Sequence, residues 1–318
     1  MKNLGIQVLR GMAIISVILI HTCPQGLWQV YCRSFFNFGV PLYLFLSGYL
    51  TSWNQENWPR FFKKRLLRVL IPYILWTIIY TLIRRQPERM LFNLATTQGA
   101  FHLYFIFVYI QFVLLTPIIK WLAESKYRAI GWMIAPLSIL VFNYSGLVFD
   151  NPLPGKVTLL WYLSFLGWFS YYYLGILARH SLIPQTQAQK PSYWALAGVA
   201  MIIQLAEGRI LMGVGFPDPG TPFKISALLF NTLLMLAALT YLKKERSRYP
   251  QFLVLLGDCS FGIYLSHVLF VWLFAKTPVL EAFPFPVTSV LVLLSSLAFV
   301  ISFRFILGER LGRWIGFA

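Results

Sequence analysis

The sequence predicts an all-α protein, a polytopic membrane helix bundle with about ten transmembrane helices. Hydrophobic residues make up 58% of the 318 residues and charged residues only 12%, which is too apolar for an ordinary soluble domain. Mainly apolar runs of about 18 residues or more recur along the chain, and helices are the bilayer-spanning structure that such runs form. Because no stretch has the composition of an appended soluble domain, we expect residues 1–318 to form a single transmembrane domain.

The ten expected spans are separated by short connections. With the N-terminus in the cytoplasm, most of the 27 Lys and Arg residues fall on the cytoplasmic side, as the positive-inside rule requires. We therefore expect a multi-pass protein of the cell membrane, in contact with lipid and with both termini cytoplasmic. Charge placed in loops in this way argues against nucleic acid as a partner, despite the net charge of +17. The spans are 4–23, 35–52, 66–83, 101–122, 127–144, 158–178, 192–207, 223–242, 251–275 and 286–307.

One group of cations departs from this charge pattern. Arg84, Arg85 and Arg89 follow the third span, on the side where few basic residues are expected. The cluster either marks a misplaced span boundary or serves an anionic or sugar-phosphate partner. The sequence leaves both interpretations open.

The first span carries two ionisable residues, Arg10 and His21. They stand eleven residues apart, close to three helical turns, so both side chains fall on one face about 16 Å apart. An ionisable group at this depth is costly in lipid and indicates a cavity or a binding site. Snorkelling of Arg10 to the headgroups and simple packing of His21 are the structural alternatives, but the placement of both on one face favours a function.

A segment of small residues and a basic cluster come next. The second span ends in residues 39–49, where Ser47 and Gly48 suit close helix packing in lipid. In the cluster that follows, Arg65 and Arg68 share a helix face at i, i+3. Like charges this close repel unless an anion lies between them. The cluster therefore indicates either an anion site or a topogenic segment beside acidic lipid headgroups.

Two further histidines are expected in the outer half of the bundle, at the depth of His21. His102 opens the fourth span, and Ser260, Tyr264 and His267 form one stripe of the ninth span at i, i+4, i+7. A single histidine of this kind is more often a hydrogen-bonded packing residue. Three at one depth favour a shared site.

Four stretches of the chain together resemble the acyltransferase-3 family of membrane-bound acyltransferases. They occur in the family's order and cover nearly the whole chain. The departures are mild: Tyr43 and Phe45 replace a double Phe, and Tyr104 stands where relatives often have Trp. The four stretches are Arg10 with His21, the segment Gly39 to Tyr49, the pair Arg65-x-x-Arg68, and Phe261-Gly262-Ile263-Tyr264-Leu265-Ser266-His267.

The resemblance implies O-acylation, usually O-acetylation, of a cell-surface or lipid-linked carbohydrate. Acetyl-CoA in the cytoplasm would be the donor substrate, with its phosphates bound by Arg10, Arg65 and Arg68, because planar guanidinium groups suit phosphate. His21 is expected to act as general base on the acceptor hydroxyl, since imidazole exchanges protons near neutral pH. An acyl-His intermediate is the alternative role for the same residue.

His21 also needs a partner that orients its ring. The first span contains no acidic residue, so the partner must come from another helix, and the sequence does not rank the candidates. Further residues are expected to line the substrate site. These candidate supporting residues are His102, Tyr104, Glu207, Tyr264 and His267, with Asp150 as a further acidic candidate.

A polytopic transporter of a small polar or anionic solute is the main alternative function. The sequence lacks the internal repeats that many transporters show. A zinc site built from His21, His102 and His267 is disfavoured, because they come from separate helices without ligand spacing, and no metal is expected. The identity of the acceptor, homo-oligomer formation and pairing of Cys23 with Cys32 are left open.

Overall fold

The computed structural model describes residues 3–24, 26–51, 57–148, 155–180, 182, 192–243, 248–278 and 282–317. Within these ranges the protein is helical and contains no β-strand. Short 3₁₀ turns occur at Pro87–Arg89, Phe101–Leu103, Arg128–Ile130 and Leu166–Trp168, and a π-helical segment at Leu140–Tyr144. The α-helices are α1 (Leu4–Thr22), α2 (Leu27–Phe36), α3 (Gly39–Tyr49), α4 (Trp58–Ile83), α5 (Met90–Thr96), α6 (Tyr104–Glu124), α7 (Gly131–Ile139), α8 (Ser145–Val148), α9 (Gly155–Leu163), α10 (Phe169–Arg179), α11 (Ser192–Gly213), α12 (Ile225–Lys243), α13 (Gln251–Ala275) and α14 (Val287–Trp314).

The all-helical class is confirmed, but the number of about ten spans is not. Six helical segments in the described ranges are long and apolar enough to cross a membrane. Two further apolar helices, Arg128–Tyr144 and Ile225–Leu239, are shorter. The six segments are Leu4–Thr22, Trp58–Ile83, Pro87–Glu124, Ser192–Gly213, Gln251–Ala275 and Val287–Trp314.

Two expected spans are interrupted rather than continuous. The span 35–52 is divided between the end of α2 and α3, and the Ser16 hydroxyl on α1 donates to the Phe36 carbonyl at the break. The span 158–178 is divided between α9 and α10. There the Gln111 side chain donates to the Leu163 carbonyl over 2.6 Å and accepts from the Phe165 amide over 3.2 Å. Each break is stable in an apolar setting because a polar side chain satisfies the freed backbone groups.

The boundaries of two other helices also differ from the prediction. Helix α4 begins at Trp58, eight residues before the expected start of the third span, and is capped by the Asn57 side chain. The basic cluster therefore lies within the helix. Helix α11 continues to Gly213, six residues beyond the expected end of the seventh span. On this extension the Leu211 side chain is buried and helps to keep the backbone helical.

Helices α1 and α13 run side by side in the same direction and form the centre of the bundle. Gly11 lies opposite Gly257, and a side-chain carbon at either position would overlap the partner backbone, at Leu253 and Gln7 respectively. Small residues at such a contact let two helices approach closely in lipid. Ten residues farther along both helices the same register places His21 opposite His267. The close backbone contact thus determines which polar side chains meet.

We expect Gly257→Ala to lower the melting temperature of the purified protein in detergent. The added methyl group would push α1 away from α13, and overpacking of this kind costs about 1–3 kcal/mol. Gly198→Ala is the matched control, because that helical glycine has open space around its α-carbon and Ala favours helix by about 1 kcal/mol. Equal melting temperatures for the two variants would contradict the contact.

Candidate active site

Three histidines form a ring cluster at one end of the α1–α13 contact. The rings of His21 and His267 stack with centroids 5.3 Å apart, and the ring of His102 meets that of His267 edge-on at 4.9 Å. Phe101 contacts His21 at 4.8 Å from the adjoining 3₁₀ turn. The structure therefore brings the three histidines together, although they come from three separate segments.

Backbone carbonyls hold the cluster in place. The Nδ1 atom of His267 lies 2.7 Å from the Tyr264 carbonyl, so this nitrogen donates a hydrogen bond to that oxygen. The Tyr264 hydroxyl in turn donates to the His102 carbonyl. His267 Nε2 is fully buried and makes no hydrogen bond within the described residues. An imidazole orientated by its own helix therefore lies against His21.

His21 itself is half-buried at the wall of a cavity. The cavity has a volume of about 350 Å³, and Tyr104, Trp168 and Arg33 line it together with His21. Within the described part of the chain, His21 makes no salt bridge to a carboxylate, and its closest ring partners are His267 and Phe101. The side chain is open to a substrate on one side and packed against aromatic rings on the other.

Glu207, one of the expected partners of His21, forms its contacts elsewhere. Its carboxylate accepts hydrogen bonds from the hydroxyls of Tyr144 and Ser226, where α11 meets the start of α12. These bonds use both carboxylate oxygens, so the predicted supporting role of Glu207 at His21 is not what the structure shows. The extension of α11 beyond Glu207 explains the difference, because it places this residue inside a helix interface. Asp150, the other acidic candidate, lies outside the described residues.

Arg10 lines a second cavity, of about 240 Å³, near the opposite end of α1. Arg68 from α4 and Arg304 from α14 line the same cavity, so three guanidinium groups surround it. The carboxyl group of Asp258 is the one acidic group among its lining residues, and the Gln7 amide donates to it over 3.1 Å in the orientation that satisfies its neighbours. The lining carries a net positive charge and is suited to a phosphate-bearing ligand.

The two arginines of the predicted basic pair have different environments. Arg68 lines the Arg10 cavity, whereas Arg65 does not. The Arg65 guanidinium donates to the Leu50 carbonyl over 3.0 Å and lies 5.1 Å from the Phe61 ring centroid. Because Leu50 follows the C-terminus of α3, this contact satisfies an orphan helix carbonyl. Arg68 is therefore a cavity residue, whereas Arg65 caps the C-terminus of α3.

Aromatic side chains separate the Arg10 cavity from the histidines. Tyr264 and Phe105 line the Arg10 cavity, and the ring centroids of these two residues lie 5.7 Å apart. On its other side the Tyr264 ring meets His102 at 5.2 Å. Arg10 and His21 thus face different cavities, with a thin layer around Tyr264 between them, rather than one open passage.

Several residues of the site did not emerge from the sequence. Arg304 lies within the expected tenth span, and a cation within a long apolar helix indicates a functional site. Asp258 follows Gly257 in the ninth span, and no sequence pattern links it to Gln7, whose amide donates to it. Arg33 forms a 2.9 Å salt bridge with Asp218, and the two are too far apart in sequence for any spacing pattern to link them. Among the described residues, no group of three or more His, Cys, Asp or Glu has the arrangement of a metal site.

Cys23 and Cys32, the possible disulfide partners, are free thiols beside the His21 cavity. Burial raises the pKa of Cys23, and burial together with the neighbouring Cys23 raises the pKa of Cys32 to about 12. The thiolate is the reactive form of cysteine. Both thiols are therefore protonated at neutral pH.

Alkylation should report this protonation. In a variant that keeps Cys23 and Cys32 (Cys259→Ser), we expect iodoacetamide at pH 8 to alkylate Cys32 at least about 100 times more slowly than in the denatured chain, because the thiolate fraction is so much lower. The rate should rise with pH up to about pH 12. Equal rates before and after denaturation would contradict the buried environment.

The sequence of this chain is similar to that of a known protein family. A sequence model described as "Acyltransferase domain" matches residues 3–306. Proteins of Staphylococcus aureus strains MSSA476, N315 and MRSA252, each named "Probable poly-beta-1,6-N-acetyl-D-glucosamine export protein", are 24% identical over 352 residues, which cover 98% of this chain and 97% of each relative. No solved structure matches the chain.

Proposed function

The chain belongs to the acyltransferase-3 family, and we propose that it transfers an acetyl group from cytoplasmic acetyl-CoA to a hydroxyl of a cell-surface or lipid-linked carbohydrate. The observation that supports this most directly is the arrangement along α1. A cavity lined by three arginines lies at one end and a histidine cluster at the other. These are the two parts that an acyl-CoA-dependent transferase needs.

Arg10, Arg68 and Arg304 would bind the phosphates of the donor. Guanidinium groups form charge-assisted hydrogen bonds to phosphate that are about twice as strong as neutral ones. The cavity of about 240 Å³ is smaller than a typical pocket for a whole cofactor, so most of the donor would lie outside it. About 16 Å of helix separates Arg10 from His21, which suits an extended donor whose phosphates and thioester are far apart.

His21 would act as the general base. It removes the proton from the acceptor hydroxyl as that oxygen attacks the thioester carbonyl, so a C–O bond forms and the C–S bond breaks. The proton then passes from His21 to the leaving sulfur, which departs as the thiol. Stacking against His267 holds the His21 ring, a task that in many enzymes falls to a carboxylate. Direct transfer and an acyl-His intermediate both agree with this geometry.

For the two ends to cooperate, the acetyl group has to pass the layer around Tyr264. The Tyr264 hydroxyl is bonded to the His102 carbonyl, and its ring closes the Arg10 cavity on the side of the histidines. A rotation of this side chain would join the two cavities. In this proposal the Tyr264 side chain controls the passage between the donor cavity and the acceptor cavity.

Export of a polysaccharide is the second candidate function, because the name of the staphylococcal relatives describes that activity. The two functions differ in what happens to label in sealed vesicles. With labelled acetyl-CoA outside and acceptor inside, a transferase leaves acetyl label on a hydroxyl of the acceptor. An exporter moves intact carbohydrate across the membrane and transfers no label.

In this vesicle assay we expect His21→Ala to reduce acetyl transfer at least about 100-fold, the usual contribution of a general base. His180→Ala is the matched control, since His180 lies on α10's C-terminal side near the Thr51 carbonyl and should keep most of the activity. Wild-type transfer by the His21 variant would contradict the general-base role.

The two arginines of the basic pair provide a separate test of donor binding. We expect Arg68→Ala to weaken acetyl-CoA binding about tenfold, because a charge-assisted bond contributes about 1.5–3 kcal/mol and tenfold corresponds to about 1.4 kcal/mol. Arg65→Ala should change the Kd by less than about threefold, since that side chain caps α3. Calorimetric titration of both variants measures the difference in Kd. Equal losses of acetyl-CoA affinity in the two variants would show that the phosphates do not bind in the Arg10 cavity.

A further inference from the structure

A large cavity adjoins the histidine cluster and shares no lining residue with the Arg10 cavity. Its volume is about 1280 Å³, more than the 300–1,000 Å³ of a typical small-molecule pocket. Five residues line both this cavity and the smaller one that contains His21: Arg33, Phe101, Tyr104, Trp168 and Pro222. A ligand with several sugar units would fit here with one hydroxyl close to His21.

The large cavity carries an excess of positive charge. Arg84, Arg85 and Lys276 line it, and none of them forms a salt bridge within the part of the chain that the structure describes. Its one acidic lining residue, Asp218, is paired with Arg33. Three cations therefore remain for a ligand.

The backbone at Arg85 supports a specific role for that side chain. Arg85 has a φ of 56°, in the left-handed region that normally takes glycine at a helix C-terminus. At the end of α4 the Gln86 amide donates a hydrogen bond to the Thr81 carbonyl over 3.1 Å, as in a Schellman motif. A residue other than glycine costs about 1 kcal/mol in this conformation, so the arginine occupies a place where glycine would be more stable.

Arg84 is held by its neighbours in a defined position. Its guanidinium donates to the Gln98 carbonyl over 3.0 Å and lies 6.0 Å from the Trp272 ring centroid. Trp272 packs on Tyr80 at 5.2 Å, and Tyr80 packs on His102 at 5.4 Å. The cation is thus connected by aromatic packing to the histidine cluster.

Topology signals do not account for these cations. Arg68, in the first half of α4, lines the Arg10 cavity, and Arg84, at the C-terminus of α4, lines the large cavity, so about 24 Å of helix separates the two residues. The positive-inside rule explains a cluster on one side of the membrane only. The other cluster needs a different explanation.

We propose that the large cavity binds the acceptor and selects carbohydrates that carry a phosphate or carboxylate group. This inference rests on the proposed function for the hydroxyl that is acetylated, but the anion preference of the cavity is measurable without transfer. Aromatic side chains such as Trp168 and Tyr104 would pack on sugar rings, while Arg84, Arg85 and Lys276 bind the anionic group. An uncharged glycan would use the aromatic surface alone.

Binding of a matched pair of oligosaccharides to the detergent-purified full chain tests the proposal. The probes are a neutral β-linked N-acetylglucosamine tetramer and the same tetramer carrying one 6-phosphate. At low ionic strength we expect at least tenfold tighter binding of the phosphorylated tetramer, and the difference should shrink as salt screens the cations. Equal affinity for the two tetramers would overturn the proposal.

Variants in one short segment identify the residues responsible. Arg85→Ala is expected to weaken binding of the phosphorylated tetramer about tenfold and to leave the neutral one unchanged. Arg85→Gly, which suits the left-handed backbone, should behave in the same way and excludes misfolding as the cause. Arg89→Ala is the control, because Arg89 packs on Phe92 at 5.4 Å and does not line the cavity. An equal loss with Arg89→Ala would overturn the proposal.

Two further measurements separate this site from other outcomes. Competition by phosphatidylglycerol at the same strength as by the phosphorylated tetramer would show a lipid headgroup site and overturn the acceptor assignment. Acetyl transfer to neutral and anionic tetramers at equal rates would overturn the selectivity while leaving the proposed function intact. Selective anion binding without any acetyl transfer would support the anion site and contradict the proposed function.

Discussion

The close contact of α1 with α13 is the constraint on which the site depends. Gly11 and Gly257 lie opposite each other, and neither position has room for a side chain. Since the two helices run in the same direction, this contact fixes the register that stacks His21 on His267. The hydrophobic core around Ile14, Ile263 and neighbouring residues of α4 and α14 then holds the pair together. Packing between small residues thus sets the geometry of the polar ones.

Charge is distributed along this frame in two separate basic regions. One surrounds the Arg10 cavity and the other the large cavity beside His21. The layer around Tyr264 lies between the Arg10 cavity and the histidines, so two ligands can bind from opposite ends without mixing. In a group-transfer reaction such a separation keeps the donor away from water until the acceptor is present.

The sequence was informative where a function rests on a single helix. The distance from Arg10 to His21 follows from helical rise alone, and the common depth of the three histidines follows from their positions in apolar runs. The sequence was less informative about breaks within apolar segments, because Ser16 and Gln111 stabilise those breaks from distant helices. For the same reason it did not reveal that Arg65 caps α3 or that Glu207 bonds to Tyr144. Contacts between residues far apart in the chain have no local pattern.

We propose that one donor molecule extends from the Arg10 cavity to His21. A cryo-electron microscopy structure with bound acetyl-CoA tests it most directly. We expect phosphate density next to Arg10, Arg68 and Arg304, the thioester within hydrogen-bonding range of the histidine cluster, and a displaced Tyr264 ring. Phosphates bound at the large cavity instead, or a thioester remote from His21 with the Tyr264 layer still closed, would contradict it.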